Sequence, residues 1–277
     1  MGAADMVPGV SGGTIAFIAG IYERWITALS HFDTKALSYL RKIQIKTFWQ
    51  YIDGYFLLSL LSGIATAIFT LAHLLRLWLT NYPIYIWAFF FGLILASIFF
   101  LGKKVYWKGS AWFSATIGAI LSTFIALMPT ANPEHINLSY YFFCGAFATI
   151  AMILPGISGA FILVLLGAYS NILEAINNFN ILILSIFALG AIFGLLSFSK
   201  LLHYLFKNYH NLTVATMTGF IAGSLIKVWP WKIGGINTLP FSTSQSPLST
   251  SIPLIIIGFL FIFILEIIAK HTLHSKE

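Results

Sequence analysis

Two short stretches carry residue types that could hold an anion. They are Asp5 to Thr14, DMVPGVSGGT, and Met152 to Phe161, MILPGISGAF, with Pro155 lying 147 positions after Pro8. At the same offset Gly20-Ile21-Tyr22 answers to Gly167-Ala168-Tyr169. Proline lacks the N–H and glycine is entropically costly in a helix, so each copy predicts a break inside an apolar segment. A helix restarting near Ser11 opens with unpaired N–H groups, and such a terminus attracts anions through its amides and dipole. Gly12 and Gly13 would let an anion approach the backbone, while Ser11 and Thr14 could donate hydrogen bonds. Gly156, Ser158 and Gly159 offer the same in the second copy. The bland use of these residues is a Pro-Gly kink that lets helices pack closely. Duplication favours binding.

Charges at membrane depth are costly and therefore functional suspects. Asp5 precedes the first motif, but its counterpart is Met152, so its role is asymmetric: either a proton-coupling carboxylate or a cap on the half-helix. Glu23 and Arg24 close the first hairpin, where the second copy has the uncharged Ser170 and Asn171. They suit an interfacial ion pair, or an arginine that meets an anionic headgroup. His73 and Arg76 align with Lys200 and His203, giving two basic pairs that either receive and release an anion or snorkel at helix ends. His31, His135 and His210 lack metal-ligand spacing, so neither a metal nor a cofactor is expected. Coupling to protons or sodium is left open.

These residues sit in a chain that must face lipid. Of its 277 residues 59% are hydrophobic and 8% charged, against roughly 25% charged in soluble domains. The net charge of +7 lies in short loops rather than one patch, which argues for a membrane protein and against a nucleic-acid partner. One cysteine, Cys144, excludes a disulfide scaffold. Residues 55–79, 84–101 and 111–128 are each about long enough to span, as are 181–206, 212–228 and 252–269. Residues 140–176 form an apolar stretch broken at Pro155-Gly156. The basic segment from Glu23 to Gly54, with Leu37, Leu40, Phe48 and Trp49 among its cations, suits helix in the headgroup region.

The likeness between halves continues beyond the motifs. Gly63, Gly92 and Ser97 match Gly190, Gly219 and Ser224 at an offset of 127. The fold class expected is an all-α polytopic membrane protein of two repeats, 1–132 and 133–277, forming one membrane domain. Each repeat is a broken re-entrant hairpin followed by three spans. Met1 aligns with Ala148, so the first repeat reads as clipped at its N-terminus. With the basic loop inside, Lys103, Lys207 and Lys270 also fall inside, and both termini are cytoplasmic. Lys232, and Arg76 and Lys227 near outer helix ends, run against that trend. Three spans per repeat is an odd number, so the halves are inverted, the architecture of alternating-access transporters.

The paired PGVSGG and PGISGA motifs, with GAADMVPGVSGGTIAFIAGIYER at the N-terminus, resemble the bacterial polyprenyl-phosphate transporter family of undecaprenyl-phosphate translocases, across essentially the whole chain. Members of that family are similar in having a helical segment before this signature. The resemblance implies a flippase of the bacterial cytoplasmic membrane that returns undecaprenyl phosphate from the outer to the inner leaflet for cell-wall synthesis. Its partners would be the polyprenyl-phosphate lipid and membrane lipids; oligomeric state is open. Carried over by position, Asp5, Pro8, Gly9, Ser11, Gly12, Gly13, Thr14, Pro155, Gly156, Ser158 and Gly159 would line the site. Two alternatives remain: a transporter of another anion, and an undecaprenyl-diphosphate phosphatase. The phosphatase motif needs an arginine where Gly12 and Gly159 stand, and paired intramembrane glutamates are missing, so an enzyme is not expected.

Overall fold

A computed structural model describes residues 1–5, 11–131, 137–233, 236–240 and 248–274. Among them are thirteen helices and one pair of two-residue antiparallel strands. The first hairpin is α1 (Gly2–Asp5) and α2 (Gly12–Ile18), followed by α3 (Tyr22–Ser30). The basic segment forms two short helices, α4 (Thr34–Arg41) and α5 (Ile45–Tyr51). Asp33 starts α4 by accepting from the Lys35 and Ala36 N–H groups. Leu37, Leu40, Ile43 and Ile45 are exposed beside its cations, as expected of helix in a headgroup layer.

The long helices are α6 (Gly54–Asn81), α7 (Pro83–Lys104), α8 (Gly109–Leu127), α12 (Ile181–Ser224) and α13 (Leu248–His274). Of these, α6, α7, α8 and α12 are long and apolar enough to cross a membrane. At 1.5 Å per residue the 44 residues of α12 measure about 66 Å, some twice a hydrocarbon core. Its helical dihedrals break at Tyr209 (φ −134°, ψ 42°). Tyr82, 127 positions earlier, separates α6 from α7 with nearly the same dihedrals (φ −136°, ψ 51°). The two spans expected over 181–206 and 212–228 are thus the halves of α12 either side of Tyr209.

The second hairpin is α9 (Leu138–Ile153) and α10 (Gly159–Leu165), which run antiparallel. The Tyr140 hydroxyl donates to the Leu166 carbonyl at the open end, and Gly159 lies against Ala148 nearer the tip. Then α11 (Tyr169–Asn177) turns away from α10 by 109°. The bounds of α2 and α3 plus 147 are the bounds of α10 and α11, and those of α6 plus 127 are 181 and 208.

Large apolar side chains such as Phe69, Phe113 and Phe193 point outward, as suits a lipid-facing surface, while glycines and alanines line the helix seams. On α7 and α13, Gly92 abuts the Ile255 carbonyl and Gly258 the Phe89 carbonyl. On α12 and α8, Gly219 abuts the Ala115 carbonyl and Gly118 the Thr216 carbonyl. Residues 92 and 219, like 89 and 216, differ by 127, so one packing scheme occurs twice. The first hairpin follows it too: Gly2 sits on the Ile64 carbonyl, and Thr149 bonds the Ala191 carbonyl at 3.0 Å.

Candidate functional site

Pro8 and Gly9 lie outside the described residues, so the first motif is seen from Ser11 onward. Ser11 caps α2 by accepting from the Gly13 N–H at 3.1 Å. Asp5 Oδ1 accepts from the Gly12 N–H at 2.6 Å. The amides expected to be unpaired are therefore occupied, one by a serine and one by the chain's own carboxylate. Of the two roles weighed for Asp5, capping is the one its geometry displays. Its Oδ2 is buried without a partner among the described residues. A Cβ on Gly12 would strike this carboxylate, which accounts for glycine there.

The second motif turns at Gly156, whose φ of +87° suits glycine. Pro155 immediately precedes that turn and is buried. Ser158 stands before α10 as Ser11 stands before α2, but its hydroxyl makes no capping bond. The two motifs meet. Thr14, 1% exposed, accepts from the Gly156 N–H at 3.0 Å. The Ser11 hydroxyl approaches the Met152 and Leu154 carbonyls at 3.4 and 3.3 Å, and the Tyr22 hydroxyl donates to the Ile153 carbonyl at 3.0 Å. Gly13 lies against Ile153, where a Cβ would stand 2.8 Å from the carbonyl oxygen. This polar seam joins the first hairpin to the second across more than 130 residues of sequence.

Two cavities of very different size border the seam, one at Tyr22 and one at Gly156. One, of about 330 Å³, is lined by Gly20, Tyr22, Glu23, Lys104 and His210. Neighbouring it, a cavity of about 140 Å³ is lined by Glu23, Thr27, His203 and Lys207. The other cleft adjoins the second motif, where Gly156 and Ser158 meet Ser122 of α8 and Lys227 just after α12. In the following loop, Lys232 donates to the Lys227 carbonyl at 2.6 Å and its ammonium lies 4.4 Å from the centre of the Trp87 ring. Burial, with Lys227 nearby, lowers the Lys232 amine to about 8.

The remaining expected residues divide. Glu23 reaches the seam's cleft and pairs with His210 at 2.9 Å, on the exposed side. Arg24 points elsewhere, forming a two-point ion pair with Asp53 at 2.6 and 3.0 Å and lying over Phe56. That Arg24 guanidinium holds the Asp53 carboxyl below its ordinary range, against a smaller opposing effect of burial. His203 lines the cavity of about 140 Å³ and contacts Thr27 at 3.2 Å. His73 and Lys200 are exposed on their helices, and the Arg76 side chain lies outside the described residues. Sequence reasoning passed over Lys227, Ser122, Lys104 and His210 as site residues. For Lys227 the signal was present: it was one of three cations opposing the charge bias.

A family profile described as undecaprenyl phosphate translocase-like matches residues 1–245. A polyprenyl-phosphate transporter of Vibrio cholerae serotype O1 is 43% identical over 237 residues, covering 84% of this chain and 75% of the relative. A polyprenyl-phosphate transporter of Staphylococcus aureus is 33% identical over 248 residues, covering 83% of each. No solved structure matches the chain. Both relatives are named as transporters, the class the residues favoured over a phosphatase. The chain is a polytopic helical membrane protein that belongs to the undecaprenyl phosphate translocase-like family.

Proposed function

We propose that the chain moves undecaprenyl phosphate from the outer to the inner leaflet of the bacterial cytoplasmic membrane, returning the lipid carrier for cell-wall synthesis. Repeats 1–132 and 133–277 are inverted with respect to each other, and both termini are cytoplasmic. The boundary between them falls outside the described residues. The motif residues line the path of the phosphate, and the polyprenyl tail stays in lipid against the apolar outer face.

The observation that carries this reading is the seam between the hairpin tips, bordered by an open cleft at Tyr22 and a small closed void at Gly156. A closed contact that shuts one side while a cleft stands open on the other is what alternating access requires. Helix breaks are tolerable at membrane depth only where protein or a wet cavity satisfies the freed groups. Here Ser11, Thr14 and Asp5 satisfy them while the seam is shut. Glu23, Lys104, Lys207 and His210 place polar and cationic groups at the cleft assigned to the inside.

The test is outer-to-inner transfer of undecaprenyl phosphate by the full chain in liposomes, with free phosphate followed in parallel. Transfer without phosphate release, abolished by Gly12→Leu, is expected. A wild type that neither binds nor transfers the lipid overturns the proposal, and phosphate release would make it an enzyme.

A further inference from the structure

The cleft beside the second motif holds three polar groups without partners of their own. Lys227 makes no ion pair among the described residues; its ammonium lies 3.9 Å from the centre of the Phe161 ring. Ser122 and Ser158 are 2% and 8% exposed and line the same cleft, and their hydroxyls make no hydrogen bond among the described residues. Buried helical hydroxyls elsewhere turn back onto their own helix, as Ser97, Thr213 and Thr218 do. A half-buried ammonium without a counter-ion pays a desolvation cost. A cation beside two hydroxyls with donors to spare suits one kind of ligand, an anion with several acceptor oxygens.

The surroundings fix this group in place. Lys232 and Asn237 donate to the carbonyls of Lys227 and Ile226, holding the stretch that carries the ammonium. The turn at Gly156 brings backbone against Ser224, where a Cβ would stand 2.9 Å from the hydroxyl. The free space is about 10 Å³, enough for a single water and too little for a phosphate. Loading therefore requires α8 and the motif to part.

We propose that Lys227, Ser122 and Ser158 form a seat for a phosphate monoester on the face opposite the basic loops. Resting on the transport reading above, the seat takes the lipid's phosphate before the seam opens. Lys227 supplies the charge as a charge-assisted donor, and the two serines supply orientation.

The experiment uses the full chain in nanodiscs and three probes: a short-chain polyprenyl monophosphate, the matching alcohol, and inorganic phosphate. Lys227→Gln keeps most of the stem on Phe161 and removes the charge. It is expected to weaken monophosphate binding about ten- to a hundredfold, from the strength of hydrogen bonds to charged groups, and to leave alcohol binding unchanged. Lys227→Arg is expected to restore most of that affinity, and Ser122→Ala with Ser158→Ala to lose part of it. Equal thermal stability across the variants keeps the comparison sound. If Lys227→Gln binds and transfers the monophosphate like wild type, the seat is overturned while the transport reading stands. Lys227-dependent binding of inorganic phosphate without lipid binding keeps the seat and overturns the lipid reading. Binding of neither probe by the wild type overturns both.

Discussion

Replacing Thr14 by valine deletes one hydroxyl from the seam and keeps the side chain's shape. Thr14 Oγ1 is the acceptor for the Gly156 N–H, and both residues are buried. Without it that N–H has no partner while the seam is shut, a penalty of about 1–3 kcal/mol. At about 1.4 kcal/mol per factor of ten, the opened seam gains about 5- to 140-fold in population relative to the shut one. Amide hydrogen exchange reads this directly, because residues around Gly156 exchange only when the contact opens. Thr14→Val is expected to speed exchange in the segment around 153–159 by that factor, with protection at the α8–α12 seam unchanged. Thr14→Ser, which keeps the hydroxyl, is expected to stay close to wild type. Unchanged exchange in Thr14→Val, or an equal effect of both substitutions, would refute the seam as a latch between the hairpins.

Gly190→Ala drives a Cβ into the Phe142 carbonyl and is expected to cost about 1–3 kcal/mol or more, read as a lowered midpoint in detergent unfolding. Gly63→Ala, at the matching position of the first half, meets nothing within 4 Å and is expected to stay within about 0.5 kcal/mol. Asp5→Ala removes the acceptor from the Gly12 amide and is expected to lower stability by about 0.5–2 kcal/mol, with Asp5→Asn restoring most of it by the same measurement. The Arg24–Asp53 clasp has a definite pH signature. Arg24 lowers the folded pKa of Asp53 below 3.8, so the clasp's contribution is present above that value and fades as pH falls through the folded one. The stability difference between wild type and Asp53→Asn is expected to be constant from about pH 8 to about pH 5 and to shrink only below about pH 4.

Much of the fold was legible because hydrophobic length and duplicated punctuation carry it. Residues 55–79, 84–101 and 111–128 became α6, α7 and α8 with ends moved by a few residues, since capping and fraying decide ends. Tyr82 and Tyr209 take the same backbone turn although only Tyr82 precedes a proline, so the turn was readable from the repeat rather than from either site alone. The site was legible in its motifs and not in its pairing. Sequence offsets matched Ser11 with Ser158, yet one caps its helix and the other does not, because Ser158 faces a cleft. The offsets also paired His73 and Arg76 with Lys200 and His203, but an offset fixes a position along a helix, not what packs on it. Asp5 was ambiguous for the same reason: its place in the sequence does not show that its carboxylate meets the Gly12 amide.

The glycine contacts between long helices have a mechanical consequence. Where Gly92 meets Ile255, and Gly219 meets Ala115, backbone touches backbone with no side chain between to yield. Sliding or rolling within either pair would drive carbonyls into the facing main chain, so α7 with α13, and α8 with the second half of α12, can swing only as stiff beams. The first half of α12 is bound to α9 in the same way, through Gly190 against Phe142 and Gly145 against Phe187, so the long helices move as a few stiff pairs. Among the described residues, the break at Tyr209 and the hydroxyl contacts of Ser11 and Thr14 are softer joints between such pairs.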